Sequence, residues 1–308
     1  MTDKKNTDVP TLEVNPEIEK LMKKTLVIKI DWWLGRNIAM QWAITELAKK
    51  IPVKVIASRP LAFWWNPYIE SIHWLDDRDL FRQVIRGNDY LELEPYTDPK
   101  FFNDGENWLN VAAKQLGLEK PAEPVIFLAE HEKLVNLLEW TKPVLYQPFW
   151  STMWLNWADK SYRSFKVEDA QYIADRLAAE WYTLYEVIKP NSQPALNNCI
   201  MCDTPDLRFV LSLCARYPLI WCDSSLHHAT KAFWRQSVVM RAGTDAWRFW
   251  YDSHINLWEK GMKEYTPMRL PMNSFDFDIS NQYSNTFSKA RLDDFVNICL
   301  NYLKSRYI

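Results

Sequence analysis

The feature that most constrains the fold is the order of two hydrophobic periods near the start of the chain. Thr25-Leu26-Val27-Ile28-Lys29-Ile30 is a β-rich apolar run that stops at Asp31. The stretch 38–50 then carries Ile38, Trp42 and Leu47 at helical spacing, and Val53-Lys54-Val55-Ile56-Ala57 is a second strand-like run entered at Pro52. Strand, loop, helix, strand begins a parallel α/β sheet, because parallel neighbours need a crossover and a helix supplies it. The pattern predicts further strands at 72–75, 90–93 and 125–128, and helices over 107–116 and 130–140.

The order restarts after Lys142, with a strand at 144–146, a long polar and aromatic loop to Phe165, a helix over 167–181, strands at 182–187 and 219–222, and a helix over 207–215 between them. Loops of that length inside compact domains are usually functional. At 308 residues the chain is long enough for about two domains. The expected fold is therefore α/β, two Rossmann-like domains with an interdomain cleft. The expected boundaries are a leader at 1–24, a first domain at 25–141, a second at 142–290, and a terminal helix at 291–308 that crosses back to the first domain.

Seventeen Trp, fourteen Tyr and fourteen Phe stand against only six Gly, so large flat side chains must fill the core and are expected to line a cleft. The halves carry 19 basic against 22 acidic and 18 against 17 residues, and neither is a basic module that holds nucleic acid chiefly by neutralising phosphate. Five cysteines, an odd number all in the second half, point to a reducing, cytoplasmic location. No signal peptide and no membrane-spanning apolar run is legible.

Three loops join a strand to a helix, the place where open α/β sheets bind ligands. Asp31-Trp32-Trp33-Leu34-Gly35-Arg36-Asn37 has one glycine and matches neither a dinucleotide nor a Walker phosphate loop. Asp223-Ser224-Ser225-Leu226-His227-His228 puts hydroxyls at a helix start, whose N–H groups could receive a diphosphate, or where either Ser could be a plain cap. Gly243-Thr244-Asp245, with Arg248 close behind, is a second phosphate or nucleoside contact, or an ordinary turn with a surface ion pair. Cys199-Ile200-Met201-Cys202 has zinc-knuckle spacing without a second ligand pair, so ordinary buried thiols are expected and no metal is assigned. Trp32-Trp33, Trp64-Trp65, Trp150, Trp154 and Trp157 are the aromatic residues nearest the expected cleft mouth.

Taken together these segments resemble the ADP-heptose lipopolysaccharide heptosyltransferases, two-domain glycosyltransferases of GT-B architecture. Leu34-Gly35-Arg36 stands where the family has LGD, Asn66-Pro67-Tyr68-Ile69-Glu70 is similar to its nPyId phrase, Asp223 to His228 is similar to DTGPxH, and Gly243-Thr244 to G-x-T. The resemblance spans roughly residues 25 to 255. It implies an inverting, metal-independent transferase without cofactor, hexosyl- or heptosyltransferase-like, whose first domain takes the acceptor and whose second takes a nucleoside-diphosphate sugar.

Arg36 occupies the position of the family's catalytic Asp, so Asp31 is the expected base, against a reading as an N-cap or an ion pair with Arg36. Arg163 and Lys166 are the nearest matches to the family's basic residue and are expected on the diphosphate with Ser224, Ser225, Gly243, Thr244 and Arg248. His228 is expected to touch diphosphate or sugar, or to serve as a capping group. Asp223 is expected to orient His228 or bind a sugar hydroxyl, or only to cap the helix. The acceptor is expected to be a glycan or small molecule. A hydroxylated DNA base taken by base flipping is the alternative partner, and a noncatalytic sugar-nucleotide or glycan binder is the alternative function.

Overall fold

The computed structural model of the chain describes residues 24–31, 34–104, 106–119, 123–137, 141–149, 164–188, 193–203, 206–241, 251–258 and 287–307. Two sheets carry the fold. In the first, β1 (Leu26–Ile30), β2 (Val53–Ala57), β3 (Ser71–Trp74) and β4 (Asp89–Glu92) lie in the order β3-β2-β1-β4, every pair parallel. In the second, β5 (Lys142–Gln147), β6 (Tyr182–Ile188), β7 (Cys199–Asp203), β8 (Leu219–Cys222), β9 (Val238–Arg241) and β10 (Ile255–Trp258) lie in the order β10-β9-β8-β5-β6-β7, again all parallel. Counted from β5, this is the 3-2-1-4-5-6 order of a dinucleotide-type sheet.

Each sheet reverses direction once, between β1 and β4 in the first and between β5 and β8 in the second. The crevice outside the carboxyl ends of the strands at such a reversal is where α/β sheets take ligands.

The helices are α1 (Leu34–Ala48), α2 (Pro99–Asn103), α3 (Trp108–Gln115), α4 (Val167–Ala178), α5 (Leu207–Arg216), α6 (Ser225–Ala232) and α7 (Lys289–Lys304). Side chains cap four of them: Asp98 accepts from Lys100 N, Asn107 from Leu109 N, Asp206 from Arg208 N and Phe209 N, and Ser288 from Arg291 N. α1 is buried around most of its circumference, polar Asn37, Gln41 and Thr45 included. The cause is its position between its own sheet and the second unit, since a helix covered on all sides cannot keep a solvated face. One core joins Ile28, Ile38 and Ile44 of the first unit to Leu211, Trp221, Leu226 and Ala229 of the second. A second packs Val144, Tyr146 and Ile173 against α7 on the opposite face of the second sheet, and a small third gathers Val27, Ile56 and Val84.

Several expectations are corrected here. Residues 125–128 form no ladder, and of the helix expected over 130–140 the described residues, 130–137, hold only a short 3₁₀ turn, Glu132–Leu134. Arg208 of α5 explains the difference. Its guanidinium donates to Phe127 O (2.6 Å), to Leu61 O (3.0 Å) and to both Glu132 oxygens (2.8 and 2.6 Å), so tertiary bonds replace local ones. Cys199 and Cys202, expected as ordinary thiols, lie on a strand, where three-residue spacing sends side chains to opposite faces; both are free, Cys199 packing on the second core and Cys202 on the first. Finally, α7 does not cross back: Leu292, Phe295, Val296 and Cys299 join the second core, and Tyr302 donates to Gln236 O at 2.6 Å. Among the described residues no helix is long and apolar enough to cross a membrane.

Candidate functional site

The two strand-order reversals are brought together by one close helix contact. α1 starts beyond the end of β1, and α6 starts beyond the end of β8. Their first turns touch at Gly35: a Cβ there would lie 3.0 Å from His228 Cδ2, 3.4 Å from His228 Nε2 and 3.4 Å from Ser225 Cα. Glycine lets the two first turns approach this closely, since a methyl group here would make the His228 ring give way by a few tenths of an ångström. Trp108, first residue of α3, covers the same spot, its ring centroid 4.9 Å from that of His228.

On the second-unit side, Asp223 and Ser224 follow β8. Ser224 occupies the N-cap of α6, yet its side chain makes no capping bond; its Oγ instead donates to Gln147 Oε1 at the end of β5 (3.1 Å). The hydroxyl therefore links β5 to β8 across the reversal, and the first-turn N–H groups of α6 are left without a side-chain cap. Asp223 is buried and ion-paired with Arg241, the last residue of β9, at 3.1 Å, while His227 Nδ1 lies 3.5 Å from the same carboxylate oxygen. His254 completes the layer. Ser237 N donates to its Nδ1 (3.3 Å), which fixes the proton on Nε2, and Nε2 donates to His227 O (3.0 Å).

His228 stands above this layer with Nδ1 2.7 Å from Tyr251 Oη, which turns Nε2 toward the start of α1. Burial, reinforced by neighbouring His227, holds its pKa well below the usual imidazole range, so the ring is neutral at neutral pH. Burial likewise lowers His254 to about 4.

On the first-unit side, Arg36 is buried and its Nη1 meets Glu94 Oε2 just past β4 at 2.5 Å. The ion pair spans the reversal of the first sheet as Ser224–Gln147 spans that of the second. Asp31 follows β1, is partly exposed, and has Lys29 Nζ at 4.0 Å; Lys29 also bonds Glu92 at 2.8 Å. The expected approach of Arg36 to Asp31 is thus replaced by a bond to Glu94.

The structure gathers Arg36, Asp223, Ser224, Ser225 and His228 at one place, with Asp31 at the end of the adjoining strand. Lys166 is the N-cap residue of α4, on the face of the second sheet opposite α6. Arg163, Gly243, Thr244 and Arg248, like Trp32, Trp33, Trp150, Trp154 and Trp157, lie outside the described residues. Trp64 and Trp65 are exposed, and Trp65 meets His131 edge-on at 6.1 Å. Sequence reasoning misses Glu94, Trp108, Gln147, Arg241, Tyr251 and His254. Arg241 and Gln147 carry a signal, each a polar residue ending an apolar strand; the others carry none. Among the described residues no group of three or more His, Cys, Asp or Glu is arranged to hold a metal ion.

No protein-family model matches the chain, and no curated protein does. Solved structures do. A glycosyl transferase family 9 structure from Veillonella parvula superposes with TM-score 0.64 at 12% identity, covering 92% of this chain and 98% of that one. The E. coli ADP-heptose lipopolysaccharide heptosyltransferase II gives 0.59 at 13%, covering 89% and 98%. The iron-containing dodecameric heptosyltransferase TibC, solved in complex with ADP-D-β-D-heptose, gives 0.66 at 10%, covering 92% and 79%. At these identities the likeness establishes the architecture, two parallel α/β units meeting across a cleft in the GT-B arrangement.

Proposed function

We propose that the chain is a glycosyltransferase that moves a sugar from a nucleoside-diphosphate sugar to an acceptor hydroxyl. The observation that carries this reading is the meeting of the α1 and α6 N-termini at Gly35 and Ser225, one from each strand-order reversal. Two helix N-termini converging on one point concentrate positive potential, and the uncapped N–H groups of α6 are donors for phosphate oxygens. A departing diphosphate accumulates negative charge in the transition state, and such donors stabilise it without reorganising.

In this reading residues 142–290 hold the donor and residues 25–141 the acceptor. Ser224 and Ser225 receive the diphosphate, Lys166 lends its charge from the opposite face of the second sheet, and Arg163, Gly243, Thr244 and Arg248, outside the described residues, supply further contacts. Asp223 orients the helix start, and neutral His228 reaches diphosphate or sugar through Nε2. Asp31 takes the acceptor proton in an inverting transfer whose charge is carried by helix ends and cations in place of a divalent ion. TibC, whose solved complex holds ADP-D-β-D-heptose, and the heptosyltransferases of E. coli support a sugar nucleotide as donor class.

One observation favours a second reading, a noncatalytic sugar-nucleotide binder: Arg36 stands where the resembled family has its acidic base, and its charge is matched within the fold by Glu94. Hydrolysis and transfer assays over a panel of nucleotide sugars separate the two. Turnover of any donor establishes the transferase, binding without turnover supports the binder, and a panel that is neither bound nor turned over overturns both.

A further inference from the structure

At the other end of α5 and α6 from the candidate site, a solvent-open depression of about 300 Å³ is lined by Leu128, Lys133, Ser212, Ala215, Arg216 and Arg235. Three of the six are cations, and they come from three separate segments: the connector, the last turn of α5, and the turn after α6. Arg306 adds a fourth positive charge close enough to oppose that of Arg235. Glu130 pairs with Lys133 at 2.6 Å, and Arg216 lies over the Tyr217 ring at 6.0 Å. Among the described residues no carboxylate contacts the Arg235 guanidinium, although it is partly withdrawn from water and burial lowers its pKa. Cations at helix C-termini complement the helix dipole. That effect accounts for Arg216, and the Glu130 pair for Lys133, but neither accounts for a half-buried Arg235 guanidinium beside further positive charge. Like charges gathered around a concave surface are stabilised by an anion seated among them.

We propose that this depression is a binding site for a small phosphoryl oxyanion, inorganic phosphate or a phosphate monoester, distinct from the site at Gly35 and Ser225. The planar Arg235 guanidinium can bond two oxygens of a tetrahedral phosphate at once, with the further charges beside it adding attraction for a multiply charged anion. Because Leu128 and Lys133 belong to the connector and Arg216 and Arg235 to the second unit, the anion joins the two.

The test is calorimetric titration of the full chain with inorganic phosphate and with a hexose phosphate, against chloride at matched ionic strength. Wild type is expected to bind saturably, and Arg235→Gln to weaken that binding roughly tenfold or more, the cost of one charge-assisted bond. Lys133→Gln gives a second variant at an exposed side chain, and near-UV circular dichroism checks that both remain folded. Ser225→Pro is expected to leave phosphate binding here unchanged, which separates failure of this proposal from failure of the donor-site reading. Absence of saturable phosphate binding, or binding that both cation variants leave intact, overturns the proposal. So does binding of anionic phosphatidylglycerol vesicles or duplex DNA without binding of free phosphate.

Discussion

Asp31 and Glu186 are both carboxylates near the end of a parallel strand, and their surroundings set them different tasks. Asp31 is partly exposed beside Lys29 at the edge of the cleft. Replacing it by Asn preserves shape and removes proton affinity; turnover is expected to fall by roughly 10²- to 10⁴-fold with donor affinity unchanged, read as kcat against donor Kd. Glu186 on β6 is buried, with Leu196 N donating to it at 3.3 Å, and burial raises its pKa from 4.5 to about 7. Its folded value lies above its unfolded one, so its contribution is complete below pH 4.5 and is lost as pH rises through 7. Glu186→Gln keeps an acceptor for Leu196 N and is expected to stabilise the protein at about pH 8 by on the order of 2 kcal/mol, with little effect at about pH 4.5, measured by urea unfolding. His254 runs the other way. Its folded pKa of about 4 lies below the usual 6.5, so its contribution is present above pH 6.5 and lost as pH falls toward 4. Acidification over that window is expected to cost on the order of 3 kcal/mol through this residue, and His254→Gln to flatten the acid limb of the stability profile.

The elements that position the site depend on two contacts that can be broken singly. Gly35→Ala puts a methyl 3.0 Å from His228 Cδ2; displacing that ring from its packing against Trp108 and its bond to Tyr251 is expected to cost about 1–3 kcal/mol and to lower the melting temperature. Arg208 holds the connector to α5 and to the turn at Leu61. Burial pushes the Glu132 carboxyl up, and hydrogen bonds from Arg208 and Ala129 N more than offset this and hold it low. Arg208→Met leaves that carboxylate buried and unpaired, and is expected to cost about 3–5 kcal/mol in denaturant unfolding. Elements with their own period are legible in the sequence: β1, α1 and β2 emerge from alternation, helical spacing and Pro52 alone. The connector is not, because its conformation is set by an arginine 76 residues beyond Glu132. At β7 the C-x-x-C spacing suggests a thiol pair and hides an apolar strand entered through Asn198, at φ +58°. In the site, the strand-end residues Asp31, Asp223 and Ser224 are legible, whereas Glu94, Trp108 and His254 reach it only through packing.

For the whole molecule, the arrangement to be explained is two parallel sheets whose order reversals face each other through α1 and α6, with one continuous core running beneath them. Such a body brings both units to one point, and the proposed reaction predicts the donor diphosphate there. Ser225→Pro tests this most directly. Proline is well tolerated at the first position of a helix, and the preceding Ser224 already has extended backbone at ψ 172°, so the fold keeps its shape while α6 loses one N–H donor. Calorimetric titration with ADP-, UDP- and GDP-sugars should find at least one that binds wild type at one per chain. Its affinity should fall roughly tenfold or more in the variant at unchanged melting temperature, the loss of one charge-assisted hydrogen bond. Equal affinity in the two proteins, with the variant folded, would contradict it.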